Sequence, residues 1–268
     1  MSDKKEALIN IELIPKDLII NLFGPATKSI GEGLGGVVNY VIGPLRRLNV
    51  VSEKSYEDFV KKINSKTDEI PLENRDNSKL GLALKTLEDS RYQLEEEDMR
   101  EYFANLLSGL VDNRKNQSSS PRFSTILSEF TTDDASILEK LYKYHVVPTI
   151  TVRAQLTNDD GGLDMVENIL LFDDNYSFSS NSVLQTLQSY GLIQIRPSII
   201  LTSEKHTKIY DDFENSTDFN NLKKDIEIEL QPDPYFQNSS YNVRCKHGSV
   251  TITNLGYLFC TMIFSNEE

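Results

Sequence analysis

Between Tyr92 and Asn113 the chain reads YQLEEEDMREYFANLLSGLVDN, an acidic opening that runs into an apolar stripe. Met99, Phe103, Leu106, Leu107 and Leu110 fall three or four residues apart, so they share one face of an α-helix. Glu95, Glu96, Glu97 and Asp98 crowd its first turn, where unpaired N–H groups and the positive end of the helix dipole favour negative charge. A helix with such a stripe needs other elements to cover it. Arg100, Glu101 and Asn105 are expected on its polar side. An amide inside a helix costs stability unless it bonds a neighbour, so Asn105 marks either a structural hydrogen bond or a contact surface.

A second segment, Leu18 to Leu48, carries six of the 13 glycines. If it is helical from Pro25 to just before Pro44, each interior glycine costs up to roughly 1 kcal/mol relative to alanine, so something must offset them. Thr27, Gly31, Gly35, Asn39 and Gly43 recur every four residues and form a strip of small side chains against which another helix can pack closely. Contact with a membrane is the competing reading. The nineteen residues Pro25 to Gly43 would rise about 28 Å, near the thickness of a bilayer's hydrocarbon layer. Lys28 and Glu32 lie inside the segment, each costing up to roughly 3 kcal/mol near the bilayer centre. A monomeric span is therefore disfavoured, while interfacial binding or insertion as an oligomer stays open. GEGLGG at 31 to 36 has dinucleotide-fingerprint spacing, but no strand leads into it and no βαβ alternation follows.

Elsewhere, Ser52 or Ser55 can cap a helix with Tyr56, Phe59, Val60 and Ile63 on one face. Leu80 to Arg91 reads as another helix, and the SSSP run at 118 to 121 as a loop and domain boundary. Thr131 and Asp134 open a helix bearing Ile137, Leu138 and Leu141. The acidic stretch NDDGGLDMVENILLFDD reads as solvated loop around a short apolar element. Ser179 or Ser180 can cap a helix through Val183, Leu184 and Leu187, closed by Gly191. LIQIRPSIILTS, DIEIEL and SVTIT are β-prone, and NLGYLFCTMIF reads as a terminal helix.

Chemistry is sparse. The formal charge of -13 repels phosphate backbones and anionic membranes, so any such contact needs a local patch. Cys245, His247 and Cys260 offer at most three soft metal ligands, and packing explains them better. No Gly-x-Ser-x-Gly, Walker lysine or His-Glu-x-x-His occurs. The acidic runs Glu95 to Asp98 and Asp225, Glu227, Glu229 read as solvated or dipole-complementing faces rather than metal carboxylates. The two cysteines and a charge-broken N-terminus fit a reducing cytoplasm.

The helix VLQTLQSYGLIQI followed by VTITNLGYLF resembles the third helix and returning strand of a winged helix. Its base-reading candidates would be Asn181, Gln185 and Gln188, yet Ser180 to Tyr190 holds no Lys or Arg and Asp173 and Asp174 lie nearby, so DNA readout is disfavoured. With EEEDMREYFANLLSGLVDN, PRFSTILSEFTTDDASIL and the glycine-rich segment, the chain as a whole resembles the abortive infection alpha family, a bacterial family tied to phage defence. Arg100, Glu101 and Asn105 match its motif. The acidic insertion near Tyr210 to Asp233 departs from the pattern.

The expected fold is mostly α with an α+β part: a helical N-terminal domain, residues 1 to 118, holding the glycine-rich helix 18 to 48, then a winged-helix-like domain, residues 119 to 268. The resemblance implies a phage-defence protein, and the absence of catalytic and metal-binding motifs leads to the expectation of a non-enzymatic one with no cofactor, no metal and no catalytic residue. It would work through a protein partner or self-association, with peripheral contact at the inner membrane face open and nucleic acid disfavoured. The alternative is a winged-helix transcriptional regulator or protein adaptor.

Overall fold

Each helix described in the first half buries residues three or four apart. A computed structural model describes residues 38–39, 42–43, 50–157, 161–173, 176–178, 181–233, 236 and 240–264. α1 (Glu53–Asp68) is capped by Ser52, whose Oγ accepts the Ser55 N–H at 3.1 Å, and it buries Ser55, Phe59, Ile63 and Thr67. After a 3-10 turn at Leu72–Asn74 comes α2 (Leu80–Ser90), which buries Ala83, Leu84 and Leu87. α3 (Glu97–Leu110) buries all five residues of the expected stripe. It also buries Arg100, Ala104, Asn105 and Gly109, because α1, α2 and α4 (Arg122–Ser128) all pack against it. The expected exposed polar side of this helix is therefore corrected at Arg100 and Asn105. α4 is absent from the sequence reading, since seven residues are too few to establish a period.

In the second half, α5 (Thr132–Tyr144) runs into β1 (Val146–Leu156), the central strand of a five-stranded antiparallel sheet ordered β3-β2-β1-β5-β4. β2 (Gly162–Leu171) occupies the acidic stretch expected to be solvated loop around a short apolar element, and the short β3 (Tyr176–Ser177) follows it. α6 (Asn181–Ser189) ends on Gly191 at φ +78°. The Leu192 N–H reaches Leu187 O at 3.1 Å and the Gly191 N–H reaches Gln188 O at 2.9 Å, a Schellman closure that only a left-handed residue permits without strain. β4 (Ile193–Arg196) follows. α7 (Glu204–Glu214) and α8 (Thr217–Leu230) fill the acidic insertion, and β5 (Tyr241–Ile252) leads into α9 (Asn254–Ile263).

The β reading of DIEIEL is corrected: it forms the last turns of α8, where Ile226 and Leu230 are buried four apart while Ile228 points out, 63% exposed. Six alternating residues fit both periods, and the buried partners decide between them. Tyr210, Phe213, Phe219, Ile226 and Leu230 cover one face of the sheet, packing on Ile150, Val152, Ala154, Ile169 and Val243.

The chain divides into two compact units, one holding the residues up to Thr132 and from Leu258 on, the other Asp133–Tyr257. The expected boundary at 118 falls at the end of the 3-10 helix Asn113–Ser118, inside the first unit.

Candidate functional site

The family-like motif on α3 is a set of three ties within the first unit, two to α1 and one to the last turn of α9. Arg100 bridges α1 and the turn before its own helix. Its Nε donates to Asp58 Oδ2 at 2.7 Å and its Nη1 donates to the carbonyls of Leu94 and Glu95 at 2.8 and 3.0 Å. A planar guanidinium is suited to such divergent acceptors. Glu101 accepts from Lys62 Nζ at 2.7 Å and also pairs with Lys66, both on α1. Burial raises the Glu101 carboxyl, but the hydrogen bonds and charges of the two lysines outweigh it and hold the group below its ordinary value. Lys62 is correspondingly raised, chiefly by its hydrogen bond to Glu101. Asn105 Nδ2 donates to Ile263 O at 2.7 Å, fastening the last turn of α9 to α3. The same turn is held by Tyr102, whose ring meets Phe264 edge-on at 5.2 Å. Phe123 and Phe130 meet Phe259 similarly at 5.2 and 5.6 Å.

Beside Asn105 lies a cavity of about 290 Å³. Its walls set Glu69 and Asp112 against Lys66, Arg114 and Lys115. Lys66 is held by Glu101, and Arg114 forks onto Asp112 through Nε and Nη2 at 2.9 and 2.6 Å. Those bonds outweigh burial and keep the Asp112 carboxyl below its ordinary value. Gly109 forms part of the wall, where a Cβ would come 2.8 Å from Met262 Cε. Nothing here pairs a nucleophile with a base.

In the second unit, two of the three expected base-reading amides are engaged within the fold. Asn181 bonds Asn168 Nδ2 and Glu167 Oε2 at 2.9 and 2.8 Å, and Gln188 Oε1 accepts the Ile195 N–H at 2.7 Å. Gln185 is exposed. Thr253 joins the ends of this region: its Oγ1 donates to Gly191 O at 2.6 Å and accepts the Gly256 N–H at 2.9 Å. His247 stacks on Tyr210 at 4.1 Å and meets Glu214 through Nε2 at 2.5 Å, fixing α7 to β5. Burial and the Glu214 charge push the neighbouring Cys245 thiol up to about 12. Neither Cys245 nor Cys260 is in a disulfide.

Sequence reasoning missed the polar face of the sheet, opposite the one that α7 and α8 cover. Register places Arg153 directly across from Arg244 on one side and Asp164 on the other, with Thr151 across from Lys246 and Gln155 across from Asn242. Arg153 Nη1 bonds Asp164 Oδ1 at 2.6 Å, and Lys246 stands 3.8 Å from the same carboxylate. The available signal was the absence of any Asp or Glu from the segments that became β1 and β5.

Of the small-residue strip, Thr27, Gly31 and Gly35 lie outside the described residues. Asn39 and Gly43 are helical, with Gly43 buried and Val38 and Ile42 beside them fully buried. Among the described residues, a Cβ at Gly43 would meet Asn39 Oδ1 at an ordinary 3.6 Å. Among the described residues no helix is long and apolar enough to cross a membrane, and no cluster of three His, Cys, Asp or Glu could hold a metal ion.

No curated protein matches the chain. A solved structure of an uncharacterized protein from the hydrocarbon-degrading marine bacterium Alcanivorax borkumensis SK2 matches at 16% identity and a TM-score of 0.31. That match covers 57% of this chain and 96% of the other, and so low a score carries no argument about fold. The model of the abortive infection alpha family matches residues 51–263, from just before the cap of α1 to the end of α9 and across all three motif residues. The chain belongs to the abortive infection alpha family.

Proposed function

We propose that this is a non-enzymatic phage-defence protein of the abortive-infection type, in which the second unit docks a partner and the glycine-rich segment 18 to 48 is released toward a membrane or an oligomer. The family match over residues 51–263 carries the phage-defence reading. The release step rests on the glycine strip, whose helical cost needs an offset, and on its position ahead of the matched region. Arg100, Glu101 and Asn105 belong to the packing of the first unit in this reading, since all three spend their polar atoms on neighbouring helices and turns. Deleting residues 18 to 48, or changing Gly31 and Gly35 to Leu, abolishes protection in a phage plaque assay. Full protection by either variant refutes the release step.

The alternative, a winged-helix regulator or adaptor, draws on α6, β4, β5 and α9, which follow in that order with α7 and α8 inserted at the wing. Its DNA-binding form is weakened by the internal bonds of Asn181 and Gln188. It requires the glycine strip to tolerate substitution.

A further inference from the structure

We infer that the polar face of the sheet is a binding surface for the phosphodiester backbone of single-stranded nucleic acid, carried by Arg153, Arg244 and Lys246. β1 and β5 pair over their whole lengths and contain three Lys or Arg and no Asp or Glu, in a chain whose formal charge is -13. Register then brings these cations together on one face: Arg153 stands opposite Arg244, with Lys246 two residues along the same strand. Like charges directly opposite one another destabilise an antiparallel pair. Asp164 offsets this only in part, because it already serves Arg153 and Lys246. Among the described residues Arg244 has no carboxylate within 4 Å, and it is exposed. A phosphate beside Arg244 would supply the missing counter-charge through bidentate guanidinium bonds, and Asn242, exposed two residues away on the same strand, adds an amide donor of the kind phosphate contacts use.

A protein partner is the poorer fit. Protein interfaces gather around apolar or aromatic anchors, whereas the exposed side chains here are arginine, lysine and asparagine, and the aromatic residues of this sheet lie under α7 and α8. The inference goes beyond the proposed function and does not depend on the glycine-rich segment.

The test is fluorescence anisotropy of the full chain with labelled oligo-uridine, with a duplex of equal length, and with polyglutamate as the acidic-peptide competitor. Single strand should bind at low salt, with log K falling against log salt at a slope of about −2 for three neutralised phosphates. Arg244→Ala with Lys246→Ala should weaken binding at least tenfold and reduce that slope by about 1.4. The single substitution Arg244→Ala should leave the thermal midpoint unchanged or raise it, because it removes the opposed arginine. Absence of binding at low salt, equal binding by the double variant, tighter binding of duplex, or displacement by polyglutamate at matched charge would each overturn the assignment.

Discussion

Arg100→Ala tests whether the polar residues of α3 hold the first unit together. The side chain is 9% exposed and bonds four acceptors, so truncation leaves groups of differing exposure unpaired. Leu94 is fully buried and its carbonyl loses a bond from a charged donor, a loss of about 2 kcal/mol. Asp58 is 33% exposed and can recover water, so its share is about 1 kcal/mol. Glu95 O and Ser55 Oγ contribute less, the latter at 3.4 Å. The expected destabilisation is about 3 kcal/mol, against about 1 kcal/mol for Asp58→Ala. Arg100→Lys should fall between them, at about 2 kcal/mol, because one ammonium cannot reach the carbonyls and Asp58 together. Urea unfolding followed by far-ultraviolet circular dichroism gives these values, provided the slope against urea matches that of the parent protein. If Arg100→Ala costs less than about 1 kcal/mol, or no more than Asp58→Ala, then the carbonyl ties carry nothing and Arg100 is a surface residue in energetic terms.

Three further outcomes follow from the same geometry. The carboxyl of Glu101 is held below its ordinary value of 4.5, so its stabilisation is present above that pH and is lost as pH falls through the lower folded value. Urea midpoints of the parent and Glu101→Gln should therefore differ near neutrality and converge on acidification below pH 4.5. Gly256→Ala should cost about 3 kcal/mol in thermal or urea unfolding, since its Cβ would lie 2.0 Å from the Leu192 carbonyl oxygen. Gly109→Ala meets the ends of two flexible side chains, Met262 Cε at 2.8 Å and Lys115 Cδ at 3.4 Å, and should stay within about 1 kcal/mol of the parent. Cys245, its thiol pushed up to about 12, should react with iodoacetamide at pH 8 at least about a hundredfold more slowly in the folded protein than in urea, as read by mass spectrometry.

What the sequence makes legible is local. The stripe of α3, the Ser52 cap, the Gly191 closure and the terminal helix all follow from spacing within one turn or one cap, and the structure places each where expected. Arg100 and Asn105 were misplaced on a solvated side because polarity alone says nothing about distant acceptors. Asp58 lies 42 residues before Arg100, and Ile263 lies 158 residues after Asn105. The stripe correctly marks a buried face, but α3 is covered by several neighbours, so burial extends past the apolar residues to polar ones whose bonds are met.

The sheet shows the same limit more sharply, and it bears on function. Charge summed along the chain argues against any polyanion, and charge read along α6 argues against DNA. Neither sum knows that Val146–Leu156 pairs with Tyr241–Ile252. Once it does, Arg153 and Arg244, 91 residues apart in sequence, become neighbours on a pleated surface, and the acids of α7 and α8 are carried on the opposite face with their helices. Antiparallel pairing sorts side chains by parity, so a strand with apolar residues at even positions and Thr151, Arg153 and Gln155 at odd ones presents two chemically distinct sides. A strand this central could bury both faces in apolar contacts, and β1 instead keeps an arginine 17% exposed between another arginine and a single aspartate. The opposition of Arg153 and Arg244 disfavours pairing and Asp164 offsets it only in part, which is the pattern expected where a surface is kept for a ligand as well as for folding.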